Sequence, residues 1–195
     1  KILFELNPWW KIDRWERYDK SLRDFNLMKI RWIPFWLDKV SLAPFSLNFI
    51  IGPRQVGKTT GVKLLIKKLL EEYPAESIFY LNLDLLSGLK ELREILQWYF
   101  AFIKEEKIDQ SFIFLDEVSH LAEWWKIVKG FIDLGKFENS SITALGSSSI
   151  RILKDAEAFP GRRGKGKDII VLPLSFKEFV GVHGLDVKKY YKHEE

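Results

Sequence analysis

The chain has 195 residues, 47% of them hydrophobic, and carries 31 basic against 27 acidic side chains for a formal net charge of +4. A chain this long hides roughly 70% of its unfolded surface, enough for one ordinary domain with or without an appendage. With no cysteine, disulfides and thiolate chemistry are excluded, and three scattered histidines (His120, His183, His193) are too few for a protein-only zinc site. No apolar run approaches the ~20 residues that span a bilayer, so no membrane partner is expected. The modest basic excess suits a polyphosphate ligand or a nucleic acid and demands neither. The start, Lys1 to Asn7, has no cleavage-like small residues, which makes the cytoplasm the expected location. A first residue other than Met and a charged Lys-His-Glu-Glu end read as an excised fragment. Plentiful Lys, Glu and Ile with a single Met hint at a thermophilic source.

Residues 1–45 form an aromatic-rich extension with five of the eight tryptophans, Trp9, Trp10, Trp15, Trp32 and Trp36, punctuated by Pro8, Pro34 and Pro44. A short helix is expected around 12–24. From residue 46 strand and helix patterns alternate. Ser46–Ile51 reads as a buried strand ended by Gly52 and Pro53. In 58–72 the apolar residues Val62, Leu65, Ile66, Leu69 and Leu70 have helical spacing, and the pattern stops before Pro74. Strand 77–83 and the long amphipathic helix 89–107 follow. Ser111–Leu115 is apolar enough to be a strand covered on both faces. A helix over 121–134 closes at Gly135, followed by strand 141–145, a short helix at 150–158 and strand 168–172. Five strands alternating with helices predict an α/β fold, a three-layer sandwich around a mostly parallel sheet. Ligands of such sheets lie beyond the carboxyl ends of the strands.

Gly52-Pro53-Arg54-Gln55-Val56-Gly57-Lys58-Thr59 satisfies G-x-x-x-x-G-K-[ST] at every fixed position, between an apolar strand and an amphipathic helix. This P-loop pattern predicts a cradle for ATP or ADP built from residues 52–60, Thr60 included. Glycines permit the turn and the close approach, amides converge on phosphate at the helix N-terminus, Lys58 reaches the β and γ phosphates, and the Thr59 hydroxyl ligates Mg²⁺. Phe112-Ile113-Phe114-Leu115-Asp116-Glu117 then reads as a Walker B strand. Asp116 would hold the Mg²⁺ shell, and Glu117 would polarise the attacking water. A helix N-cap followed by a first-turn acid would look the same. The strand-helix unit 77–107 between the two motifs argues against nucleotide kinases and GTPases, and no Asn-Lys-x-Asp guanine reader is present.

These motifs, with Trp125-Lys126, Gly146-Ser147-Ser148-Ser149, Gly161-Arg162 and Leu172-Pro173-Leu174-Ser175-Phe176-Lys177-Glu178-Phe179, resemble the AAA+-superfamily ATPases of archaea and bacteria whose P-loop domain precedes a domain of obscure function. The resemblance covers about residues 47–180. It implies an ATPase core, placed at 46–183, with strand order 5-1-4-3-2. It also implies a polar γ-phosphate sensor after the fourth strand, at Ser147 or Ser148. Arg162 or Arg163 would reach a neighbouring subunit's site in a homo-oligomer. Residues 184–195 would begin a missing C-terminal region that carries a lid and contacts to DNA or protein. Without the resemblance, Ser147 reads as a Ser-rich turn and 162–167 as a solvated basic loop. Trp32-Ile33-Pro34 is either a base pocket or, with the other tryptophans, cover for a sheet edge. The functions expected are Mg²⁺-dependent ATP hydrolysis driving conformational change in a larger assembly, or an ATP-operated switch or DNA-associated module with little turnover.

Overall fold

Five strands form one sheet in the order β2-β3-β4-β1-β5: β1 Ser46–Ile51, β2 Ile78–Asn82, β3 Ser111–Asp116, β4 Ser140–Gly146 and β5 Asp168–Ile170. Every pairing between neighbouring strands is parallel. The order is the expected 5-1-4-3-2 read from the opposite edge, so fold class and topology agree with the sequence reading. The structure, a computed structural model, describes residues 2–147 and 155–184. Its helices include α1 Ile2–Leu6, α2 Lys20–Leu27, α3 Lys58–Leu69, α4 Leu89–Glu105, α5 Trp124–Asp133 and α6 Phe176–Val182. Among these residues no helix is long and apolar enough to cross a membrane.

Successive strand residues face opposite sides of the sheet, and this alternation builds the layers. Phe49, Ile51, Phe79, Leu81, Ile113 and Leu115 pack against Leu92, Leu96 and Tyr99 of α4 and Trp124 and Val128 of α5. Their neighbours Ile50, Ile78, Tyr80, Phe112 and Phe114 pack against Val62, Leu65, Ile66 and Leu69 of α3. Trp124 is fully buried and packs against Phe49 and Phe159.

The extension differs from its sequence reading. In place of one helix around 12–24 there is a 3₁₀ turn at Trp15–Arg17 and then α2. Asp19 sets that start: its carboxylate accepts the Leu22 N–H at 3.0 Å, an N-cap that fixes where the helix can begin. Trp9, Trp15 and Trp36 are buried with the α3 side of the core. β2 is an edge strand, and the extension closes it with side chains. Asn7 donates through Nδ2 to Tyr80 O (2.9 Å) and accepts Tyr80 N–H on Oδ1 (2.6 Å), while Trp9 Nε1 donates to Ile78 O (3.0 Å). An open strand edge is thereby satisfied without another strand. Observed elements are shorter than expected by one to three residues at several ends, as helix fraying and strand-end geometry produce. The helix expected at 150–158 lies mostly outside the described residues, as does Ser148.

Candidate functional site

The carboxyl ends of β1, β3 and β4 lie side by side, with Ile51 opposite Gly146 and Leu115 opposite Ala144. The segments leaving these strands therefore converge: residues 52–59 after β1, Asp116-Glu117 at the end of β3, and Ser147 after β4. Gly52 N–H donates to Gly146 O (3.4 Å), which sets the loop's first residue beside the residue preceding Ser147. Ser147 itself is half-buried.

The two fixed glycines of the loop are required for different reasons. A Cβ at Gly52 would come within 2.1 Å of Val171 O, where the chain leaving β5 crosses close to the loop. Gly57 has φ +81, in the left-handed region, and a Cβ there would meet no protein atom within 4 Å. Gln55 also sits at φ +66, so the loop winds tightly before α3 begins at Lys58. Lys58 curls back along the loop and donates to Gly52 O (2.8 Å) and Pro53 O (2.6 Å). Burial lowers the pKa of its ammonium, and the charges of Glu117 and Asp116 oppose that shift.

Asp116 is buried and its carboxylate is tightly held. Oδ2 accepts the Thr59 hydroxyl (2.8 Å) and the Tyr80 hydroxyl (2.7 Å), and Oδ1 accepts the Glu117 N–H (2.8 Å). Burial and the Asp116 charge both push the Tyr80 phenol pKa well above its ordinary value. Glu117 has φ +51, an unusual backbone for glutamate, and its Oε2 is buried with no hydrogen-bond partner among the described residues. His120 Nε2 lies 3.8 Å from that oxygen. On its other side the ring meets Asp84 through Nδ1 (2.5 Å), and the Arg54 guanidinium contacts Nε2 (3.3 Å). Since guanidinium only donates, this arrangement suits a ring with its proton on Nδ1.

Two hard oxygen donors, the Thr59 hydroxyl and the Asp116 carboxylate, thus touch beneath a loop of positive-φ turns and a lysine. That donor set suits a small divalent cation such as Mg²⁺. The orphaned Glu117 oxygen beside it can accept a proton from a water.

Next to the loop lies a half-open cavity of about 530 Å³, lined by Gln55 to Gly57, Thr60, Gly61 and Leu64 on one side and by Phe25, Trp32, Pro34, Leu172, Leu174 and Phe179 on the other. Its size and apolar lining suit an aromatic ring system. Of Trp32-Ile33-Pro34, the outer two line this space and Ile33 points to solvent. Trp9 and Trp10 cover the β2 edge, while Trp15 and Trp36 pack on the α3 side of the core.

Arg162 is not in this cluster. Its guanidinium donates to Asp133 at the end of α5 (2.6 Å) and to Pro160 O (3.2 Å). Arg163 pairs with Asp168 (2.9 Å) and lies over the Phe49 ring. Sequence reasoning missed Tyr80, His120, Asp84 and the cavity residues Phe25, Leu172 and Leu174. The parallel register that sets Tyr80 and Asn82 beside Phe114 and Asp116 was the signal for Tyr80, and it becomes usable only once β2 is paired with β3.

An uncharacterized protein of Methanocaldococcus jannaschii, MJ1544, is 29% identical over 157 residues, covering 78% of this chain and 32% of its own length. Among solved structures, CDC6P from Pyrobaculum aerophilum superposes with a TM-score of 0.55 at 15% identity, covering 79% of this chain and 46% of the other. The Aeropyrum pernix ORC1 protein, solved in complex with DNA, gives 0.52 at 14%, covering 74% and 44%. Aeropyrum pernix ORC2, solved as ADPNP-ADP complexes, gives 0.51 at 15%, covering 72% and 45%. These structural likenesses establish the fold. The chain spans about a third of the curated relative and less than half of each solved chain. The family model described as AAA domain matches residues 45–180, well over half of the sequence, and the chain belongs to that family.

Proposed function

We propose that the domain binds Mg²⁺-ATP in the cleft between the 52–60 loop and the ends of β3 and β4, and hydrolyses the β–γ anhydride. The observation that carries this reading is the contact of Thr59 Oγ1 with Asp116 Oδ2, next to Glu117, whose Oε2 has no hydrogen-bond partner among the described residues. Residues 52–60 wrap the phosphates with backbone amides, and Lys58 leaves its loop carbonyls to neutralise the β and γ oxygens. Thr59 and Asp116 hold Mg²⁺, which when bound neutralises charge on the phosphate oxygens. Glu117 orients a water and takes its proton as the water oxygen bonds to the γ-phosphorus and the bond to the bridging oxygen breaks, releasing ADP and phosphate. Ser147 contacts the γ-phosphate from the end of β4. The adenine enters the cavity between Trp32, Pro34 and the Leu172–Leu174 segment, where apolar surface rewards a flat ring. Arg162 serves a neighbouring subunit's site.

Calorimetry with Mg²⁺ and ATP tests the binding step and phosphate release tests the chemistry. Lys58→Ala abolishes the heat of association. Glu117→Gln keeps it and cuts turnover by about 10²–10⁴-fold, the range of a lost general base. Absence of association in the folded wild-type domain overturns the reading. Wild-type binding with no more turnover than Glu117→Gln would favour the switch, in which occupancy alone controls a partner.

A further inference from the structure

Residues 2–27 reach Tyr80, which is not part of the P-loop or of the Asp116-Glu117 pair, by two routes: Asn7 through the Tyr80 backbone, and Trp9, Trp15 and Asp19 through Lys63 of α3. Asn7 clamps both backbone polar groups of Tyr80, at 2.6 and 2.9 Å. Lys63, one helical turn after Thr59 on the same side of α3, places its ammonium 3.8 Å from the centre of the Tyr80 ring. That ammonium is caged by the Trp9 and Trp15 rings (4.9 and 5.9 Å to their centroids), and Asp19 Oδ2 balances it at 3.6 Å. Asp19 is fixed in turn, because its other oxygen caps α2. The far end of Tyr80 donates its hydroxyl to Asp116 Oδ2.

Packing alone does not account for this chemistry. A phenylalanine would fill the same space against Ile78 and Phe114, yet the residue carries a hydroxyl aimed at a buried carboxylate. A cation against the π face draws electron density from the ring and makes the phenol a stronger donor. With Thr59 and Tyr80 on Oδ2 and the Glu117 amide on Oδ1, the carboxylate cannot rotate without breaking charge-assisted hydrogen bonds. Partners one step behind a metal ligand fix its orientation in this way.

We infer that Tyr80 is a positioning residue for the metal-binding carboxylate of Asp116, and that the Asn7, Asp19 and Lys63 contacts make the amino-terminal extension part of the Mg²⁺ site. The extension thereby sets metal affinity from the face of the sheet opposite α4 and α5. This inference rests on the Mg²⁺-ATP reading given above.

Tyr80→Phe removes the hydroxyl and keeps the ring. ATP binding is measured by calorimetry in EDTA and then across a Mg²⁺ titration, for wild type, Tyr80→Phe and Lys63→Met. The Mg²⁺ concentration giving half of the metal-dependent gain in ATP affinity rises about tenfold in Tyr80→Phe, the scale of losing a partner behind a metal ligand. In Lys63→Met it moves the same way by less. ATP affinity in EDTA is unchanged in both variants, a separation that a general loosening of the fold does not produce. A Mg²⁺ midpoint in Tyr80→Phe equal to that of wild type overturns the inference and leaves the ATPase reading standing. A wild-type domain whose ATP binding ignores Mg²⁺ overturns the metal part of that reading, and the inference falls with it.

Discussion

Lys63 holds its ammonium at 6% side-chain exposure, between Asp19 and the rings of Trp9, Trp15 and Tyr80. Burial lowers its pKa from 10.5 to about 8, and Asp19 offsets only part of that loss. The sign of the stability effect follows. Below pH 8 the lysine is charged in both states and the folded chain bears the full cost of burying it. Between pH 8 and 10.5 the folded chain gives up the proton first, so the cost fades as pH rises. The stability of wild type relative to Lys63→Met is therefore expected to rise by about 3 kcal/mol at most from pH 7 to pH 10.5. Denaturant titrations of both proteins across that range check it. A difference that stays flat with pH would mean that the lysine keeps its ordinary pKa in the fold, with Asp19 and the rings offsetting its burial. Lys63 was invisible in the sequence as anything but a helix-surface cation. Its apolar neighbours Val62, Leu65 and Ile66 defined the buried stripe, and the aromatic cage that draws the lysine inward comes from residues about fifty positions earlier.

At the level of elements, the strand-helix alternation from residue 46 onward was legible because each strand is short, apolar and bounded by a turn residue. Apolar spacing in α3 and α4 likewise matched the faces they bury. The extension was not legible, since its regularity is supplied by partners and not by its own periodicity. Asn7 shows why: a lone asparagine before a proline reads as a turn residue, whereas here it is fully buried and completes the β2 edge. Asn7→Ala leaves the Tyr80 N–H and C=O buried without partners and is expected to cost about 1–3 kcal/mol. Faster hydrogen exchange at the Tyr80 amide, with the β3 and β4 amides unchanged, would accompany the loss. An unaltered Tyr80 exchange rate would show that water already satisfies that edge. Gly61 on α3 illustrates the same dependence on distant residues. A Cβ there would lie 2.4 Å from the Trp36 indole, so the glycine makes room for the extension and has nothing to do with phosphate.

For the molecule as a whole, the convergence of the 52–59 loop with Asp116-Glu117 was legible because both motifs follow apolar strands whose carboxyl ends lie at one edge of a parallel sheet. The apolar cavity was not, because it joins residues 25–34 to residues 172–183 across the first and last segments of the fold. Arg162 belongs at this scale too. Its pair with Asp133 is exposed, and surface pairs of this kind contribute about 0–1 kcal/mol, so little holds the arginine there. If it completes a neighbour's site, turnover per chain rises with protein concentration, and Arg162→Ala removes that rise with little change in ATP affinity. Turnover that is independent of concentration would return the arginine to an ordinary surface role.

Under the proposed mechanism, Glu117 sets the chemistry and the integrity of the fold in conflict at a single position. Its left-handed backbone costs a non-glycine residue on the order of 1 kcal/mol, and its carboxylate forgoes a buried hydrogen bond. A glycine at 117 would relax both tensions and yield a sturdier, chemically silent domain. Screens that reward heat resistance alone should drift toward that glycine, and only a demand such as the proposed hydrolysis would hold a glutamate in its place.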